Sequence, residues 1–254
     1  MLVGASSAGS PGGTKGWRDG GSRGSARPGG GTAPAPGGAA AGPLFVAVFT
    51  LQSATRDGYD WRRHPVSDLA LGPGGRLQVA NFTVCGALLV AGAAGLYRDP
   101  AGGEQGVRTR AGQALLALAG ASLVLAGVFT TAPVSGYPPG TPPSPAAYST
   151  GEVLHDVVSI PVFLGLPIAT ACFARSFLRA GRRGWAAYSA VSGTVMLGCF
   201  VLASLGFSQE PAFAAYGGLY QRISIVAGLG WVTAVFLLAL SRRTRGGGSD
   251  RSPP

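Results

Sequence analysis

The chain has 254 residues, 46% of them apolar and only 12% charged, with a mean hydropathy of +0.30 and 43 glycines, many inside the apolar runs. This balance excludes an ordinary soluble domain and fits a polytopic membrane protein whose first partner is the lipid bilayer. The net charge of +10 would suit nucleic acid if it were gathered on one face, but the basic residues stand at the ends of apolar runs, where membrane topology puts them, so nucleic acid is not expected.

Residues 1–38 hold 13 Gly and 4 Pro, with Lys15, Arg18, Arg23 and Arg27 against Asp19 alone. Such a segment buries too little apolar surface to order itself, so a disordered basic tail is expected there. No apolar run follows the first methionine closely, and a cleaved secretory signal is not expected. A six-span transmembrane domain is predicted over 39–241. Its first span, 39–54, is the shortest, barely reaching the roughly 17 residues a helix needs to cross. It has Pro43 near its start and Thr50, Gln52 and Ser53 near its end.

Between the first two spans lies the densest ionisable stretch of the chain, 56–81, RDGYDWRRHPVSDLALGPGGRLQVAN, with one of two histidines, three of ten acidic and four of twenty basic residues. Pro65 suits the first turn of a helix, and Gly72-Pro73-Gly74-Gly75 stops one after Leu71. The spacing predicts a short interfacial helix with His64 and Asp68 on one face and Val66, Leu69 and Leu71 on the membrane surface. Tyr59 and Trp61 suit the headgroup level.

The second span, 77–97, opens with a mildly polar stripe of Gln78, Asn81 and Cys85, and its Ala87, Ala91 and Gly95 put small residues four apart for close packing. The third covers 111–131. The linker PVSGYPPGTPPSPAAYSTGE follows, with six prolines between 133 and 145 and no Lys or Arg; it is stiff enough to act as a lid. The fourth span, 153–177, opens with His155 and Asp156 and contains Pro161 and Pro167, which kink it and free backbone carbonyls. A fifth spans 185–206 and a sixth 219–240, with Gln221 and Ser224 at its start. A second basic, disordered tail is expected over 242–254. Cys85, Cys172 and Cys199 all fall in spans without CxxC spacing and read as small core residues.

Cytoplasmic segments are rich in Lys and Arg, and the basic residues split 15 to 5 between the two sides when both termini are placed in the cytoplasm of a cell membrane. The basic tails can then contact anionic lipid. Both histidines and six of ten carboxylates fall outside. His64 and Asp68 from the first outer loop and Glu152, His155 and Asp156 from the fourth span share one level of the bilayer. With Asn81 and Gln221 they define a candidate pocket of His64, Asp68, Asn81, His155, Asp156 and Gln221. The set His64, Asp68, His155 and Asp156 has the donor types for a zinc or manganese ion with an open position, or for a general acid/base pair, although no HExxH motif is present and no cofactor is identified. Ser67 lies near His64 but lacks the GxSxG context of a nucleophile. The two histidines are expected to act jointly if chemistry or tight binding occurs. A purely structural polar network that pins loops to the bundle accounts for the same residues.

HPVSDLALG, then LQVANF, GVFTTAPVSGYPPGTPP and LHD occur in this order with spans of suitable length between them. On these motifs the chain, over residues 44–240, resembles the domain of unknown function 998 family of membrane proteins. The resemblance implies a six-helix membrane bundle and no established activity. The family pattern often has an acidic residue where Ala132 stands here, so this chain has one carboxylate fewer at the outer end of the third span, which counts against a carboxylate-rich metal site. Three classes of function remain. They are binding or transport of a lipid headgroup or small polar solute, a metal-assisted intramembrane hydrolase, and an accessory subunit using Ala87, Ala91 and Gly95 or the tails as contact surfaces.

Overall fold

The computed structural model describes residues 36–98, 107 and 109–241. Among them the regular elements are helices: α1 (Gly37–Thr55), α2 (Gly75–Arg98), α3 (Arg110–Val128), α4 (Thr150–Ile160), α5 (Leu166–Arg179), α6 (Arg183–Phe207) and α7 (Gly217–Leu240). A 3-10 turn, Val66–Ala70, lies between α1 and α2, and a π-helical turn, Pro161–Gly165, joins α4 to α5. α4, the π turn and α5 make one span, Thr150–Arg179, so six helices are long and apolar enough to cross a membrane. This is the all-α, six-span bundle expected from the sequence. The tails expected over 1–38 and 242–254 lie outside the described residues, save for 36–38, where α1 has already begun.

Each span packs on the one before it, and α7 returns to α1, so the six spans close into a ring in sequence order. Close approach depends on glycine at two crossings. A Cβ on Gly42 of α1 would meet the Leu229 carbonyl oxygen of α7 at 2.8 Å, and one on Gly86 of α2 would meet the Gly120 carbonyl oxygen of α3 at 2.5 Å. The small-residue stripe is therefore rotated from the one expected. Gly95 is buried, but Ala87 and Ala91 are exposed, and Gly86, one residue round the helix, makes the tight contact. Spacing of four identifies a stripe, but only the neighbouring helix decides which stripe is inside.

The prolines of the fourth span act through the backbone ladder. Pro161 has no N–H to donate, and the chain absorbs the missing bond in one π turn before helical pairing resumes. α5 then packs along α6, whereas α4 leans on α3 and away from α6. The upper half of this span thus diverges from its neighbour.

The loops 56–74, 129–149 and 208–216 gather at one end of the ring, here called the rim. There the interfacial helix expected over 65–71 takes another form. It is a single 3-10 turn whose Val66 and Leu69 side chains are 2% and 0% exposed, sunk into the protein instead of lying on a membrane surface. Tyr59 is buried with it, while Trp61 stays 42% exposed. Arg56 donates to the Leu69 and Leu71 carbonyls and Gln221 accepts the Val66 N–H, which hold the turn in this place.

Candidate functional site

The rim is built around Arg222, in the second turn of α7 and 8% exposed. No carboxylate among the described residues pairs with it. Its Nη1 donates to the carbonyls of His64 at 3.1 Å and Gly218 at 3.0 Å, and its Nη2 donates to Ser53 Oγ at 3.0 Å and Tyr59 Oη at 2.6 Å. The guanidinium also lies over the rings of Phe49 and Tyr59. A planar fork with five donors can satisfy such divergent oxygens from α1, α7 and the first rim loop at once. α7 lacks a side-chain cap; its Gly218 and Leu219 N–H groups donate instead to the carbonyls of Arg63 and Arg62, so the loop itself caps the helix. That seat needs glycine, because a Cβ on Gly218 would meet the His64 carbonyl oxygen. Arg56 holds the other end of the loop, donating to the carbonyls of Leu69, Leu71 and Pro73.

His64 and Asp68 belong to this network. His64 Nδ1 accepts the Asp60 N–H at 2.9 Å, and its ring packs between Tyr59 and Tyr137. Burial holds the imidazole below its ordinary value, against the pull of the Asp60 carboxylate. Asp68 is fully buried; Oδ2 accepts the Val134 N–H at 3.4 Å and Oδ1 has no partner among the described residues. Burial pushes this carboxyl well above the usual carboxylate range, and it also lifts the Tyr59 hydroxyl to about 12, with Arg222 working the other way. Through Val134 and Tyr137 the first and second rim loops are locked together.

Asn81 is used elsewhere. Gln52 Nε2 donates to Gln78 Oε1 at 2.8 Å, Asn81 Nδ2 donates to the same oxygen and to the Phe45 carbonyl, and Asn81 Oδ1 accepts from Cys85. The polar stripe of α2 therefore forms a buried ladder against α1 and does not line the cavity.

Behind the rim the ring encloses a cavity of about 390 Å³ lined by side chains from all six spans. Its rim end carries Ser67, Thr131, His155, Asp156, Ser204 and Gln221, and the proline-rich loop covers it through Ala132, Val134 and Tyr148. Its far end is formed by Leu166, Met196 and Leu229, and Phe163 stacks on Phe200 at 4.6 Å across the gap between the π turn and α6. Gln221 to Leu229 on α7 corresponds to about 12 Å of helix, so the cavity runs well into the bundle.

Of the six candidate pocket residues, the cavity collects His155, Asp156 and Gln221; His64, Asp68 and Asn81 stand in the packing around it. His155 Nδ1 lies 3.0 Å from the Phe129 carbonyl, which can only accept, so in the neutral ring the proton sits on Nδ1 and Nε2 keeps the lone pair. Gln221 Oε1 accepts the Val66 N–H at 2.7 Å. Glu152 is occupied in a capping box, with Ser149 Oγ accepting the Glu152 N–H and Glu152 accepting the Ser149 N–H. Among the described residues no group of three or more His, Cys, Asp or Glu side chains is gathered for a metal ion, and the two histidines have no common partner. Sequence reasoning missed Arg222 as an organising residue. The available signal was an arginine one turn inside an apolar span, a position that demands internal partners.

A ring of six apolar spans with a buried polar rim and a lumen defines a polytopic helical membrane protein. The family model for "Protein of unknown function (DUF998)" matches residues 39–238, and the chain belongs to that family. Searches of curated proteins and of solved structures return no match.

Proposed function

We propose that this protein binds or transports a lipid-like amphiphile or small polar solute in the lumen of its ring. The observation that supports this most is the cavity, with polar groups collected at the rim end and Leu, Met and Phe side chains at the other. Its volume of about 390 Å³ lies in the range of small-molecule sites, about 300–1,000 Å³. The divergence of α4 from α6 above the π turn favours entry from the lipid side, because a chain can pass between helices that do not interlock.

The 15 to 5 division of basic residues supports a cell-membrane protein with both termini, and the link around 98–110, in the cytoplasm. The basic tails then suit contact with anionic lipid. A reporter fused in that link should be active only in the cytoplasmic form; activity of a periplasmic reporter there reverses the orientation.

Native mass spectrometry with dodecanol as the probe tests binding. Saturable adduct is expected, reduced about tenfold or more by Ser204→Trp, which fills the lumen, and kept by Leu205→Trp, whose side chain faces outward at 37% exposure. Equal binding by both variants contradicts the lumen as the site.

A further inference from the structure

The rim end of the cavity carries hydroxyls, the Gln221 amide and one carboxylate but no fixed cation, and this bears on the head of the ligand. Among the described residues Asp156 is the only formally charged one in the lining, and no Lys or Arg lines the cavity. The rim arginines Arg56, Arg62, Arg63 and Arg222 all stand outside the lining. Arg222 spends its fork on His64, Gly218, Ser53 and Tyr59, and Arg56 on the carbonyls of Leu69, Leu71 and Pro73.

Three of the neutral lining groups, His155, Ser159 and Ser204, suit the same chemistry. His155 gives its Nδ1 proton to the Phe129 carbonyl and keeps a lone pair on Nε2. Ser159 Oγ donates to the His155 carbonyl at 2.7 Å and Ser204 Oγ to the Phe200 carbonyl at 2.9 Å, so both hydroxyl oxygens are left to accept. Asp156 makes no side-chain hydrogen bond among the described residues and is exposed at the mouth. The Tyr148 ring adds an aromatic face, which attracts a cation. An anionic head would meet the Asp156 carboxylate with no cation to offset it; a donor-bearing cation would meet that carboxylate, the His155 lone pair and the serine oxygens.

Building on the lumen reading above, we propose that the cavity selects a single-chain amphiphile with a cationic, hydrogen-bond-donating head, of the long-chain primary amine type. Asp156 and His155 Nε2 hold the ammonium at the rim, and the chain lies along Ile225 and Leu229 toward the Phe163–Phe200 stack. The volume near the lower end of the usual range suits one chain in preference to two.

The test compares dodecylamine, dodecanol and dodecanoate, which share a chain and differ in the head, for binding to the full-length protein in nanodiscs by competition at neutral pH. Dodecylamine is expected to bind about tenfold or more tightly than dodecanoate, the scale of one charge-assisted hydrogen bond. Asp156→Asn should erase that preference and Asp156→Glu should restore it. Dodecanoate binding as tightly as the amine, or a preference that survives Asp156→Asn, overturns the assignment of the head; if dodecanol is then still displaced by Ser204→Trp, the lumen reading stands without it. Absence of saturable binding for all three probes overturns both.

Discussion

The Arg222 guanidinium donates to the Tyr59 hydroxyl at 2.6 Å, and that hydroxyl lies 2.8 Å from the Pro65 carbonyl, so a residue of the last span reaches the backbone of the first rim loop through one phenol. Because Tyr59 is itself buried, the pair works as a unit. Arg222→Lys replaces a four-way fork with a point charge and is expected to lower stability by about 2–4 kcal/mol, and Tyr59→Phe by about 1–2 kcal/mol. The double variant should lose less than the two combined, with a coupling of about 1 kcal/mol or more. Thermal unfolding of the purified variants measures it, and strict additivity would show that the contact carries no energy of its own.

The rim should give stability two opposed pH dependences. The Asp68 carboxyl is raised in the folded protein, so its folded form stays protonated where the unfolded chain, near 3.8, has ionised. The folded state then holds the extra proton, and stability falls as pH rises above about 4 through the folded value. His64 is lowered below 6.5, so the folded state holds fewer protons and stability falls as pH drops through the window beneath 6.5. Asp68→Asn should flatten the first slope and cost little at neutral pH. His64→Gln should flatten the second. Greater loss from Asp68→Asn at pH 7 than at pH 4 would mean that Asp68 is ionised and paired.

Gly218→Ala adds a methyl that collides with the His64 carbonyl oxygen and comes within 2.8 Å of that of Trp61. Both neighbours are backbone and cannot rotate away. A loss of about 1–3 kcal/mol is expected, with increased proteolysis of the 56–74 loop as the sign that the loop has lifted. Gly184→Ala, where nothing lies within 4 Å, serves as the comparison and should be near neutral or stabilising.

His64 and His155 hold separate partners, Asp60 with the two tyrosines in one case and the Phe129 carbonyl in the other. Alanine at each should therefore lower the unfolding temperature by its own amount, additive within about 0.5 kcal/mol. His155→Ala, at the cavity, should also weaken amphiphile binding, and His64→Ala should not. Equal and non-additive losses of binding from both would mean that they share a ligand.

The six spans were legible because length and apolarity alone decide what crosses a bilayer, and Pro161 announced the irregularity that the structure resolves as a π turn. What the sequence hid depends on neighbours. Nothing in the spacing of Ala87 and Ala91 tells them from Gly86 until α3 arrives with Gly120. Val66 and Leu69 suit a membrane surface as well as a protein interior, and the residues that hold them in the interior, Arg56 and Gln221, are distant in the chain. His155, Asp156 and Gln221 could be nominated from polarity within spans, but Ser204, Phe163 and Phe200 look like ordinary span residues and become part of the site through the divergence of α4 from α6.

Photo-crosslinking with a diazirine-bearing long-chain amine, followed by peptide mapping, tests the occupied lumen most directly. Adducts are predicted on lumen residues such as Met196, Ile225 and Leu229, with protection by excess dodecylamine. Adducts confined to the lipid-facing Val226 and Leu237, which are 48% and 54% exposed, and unaffected by competitor, would contradict the account.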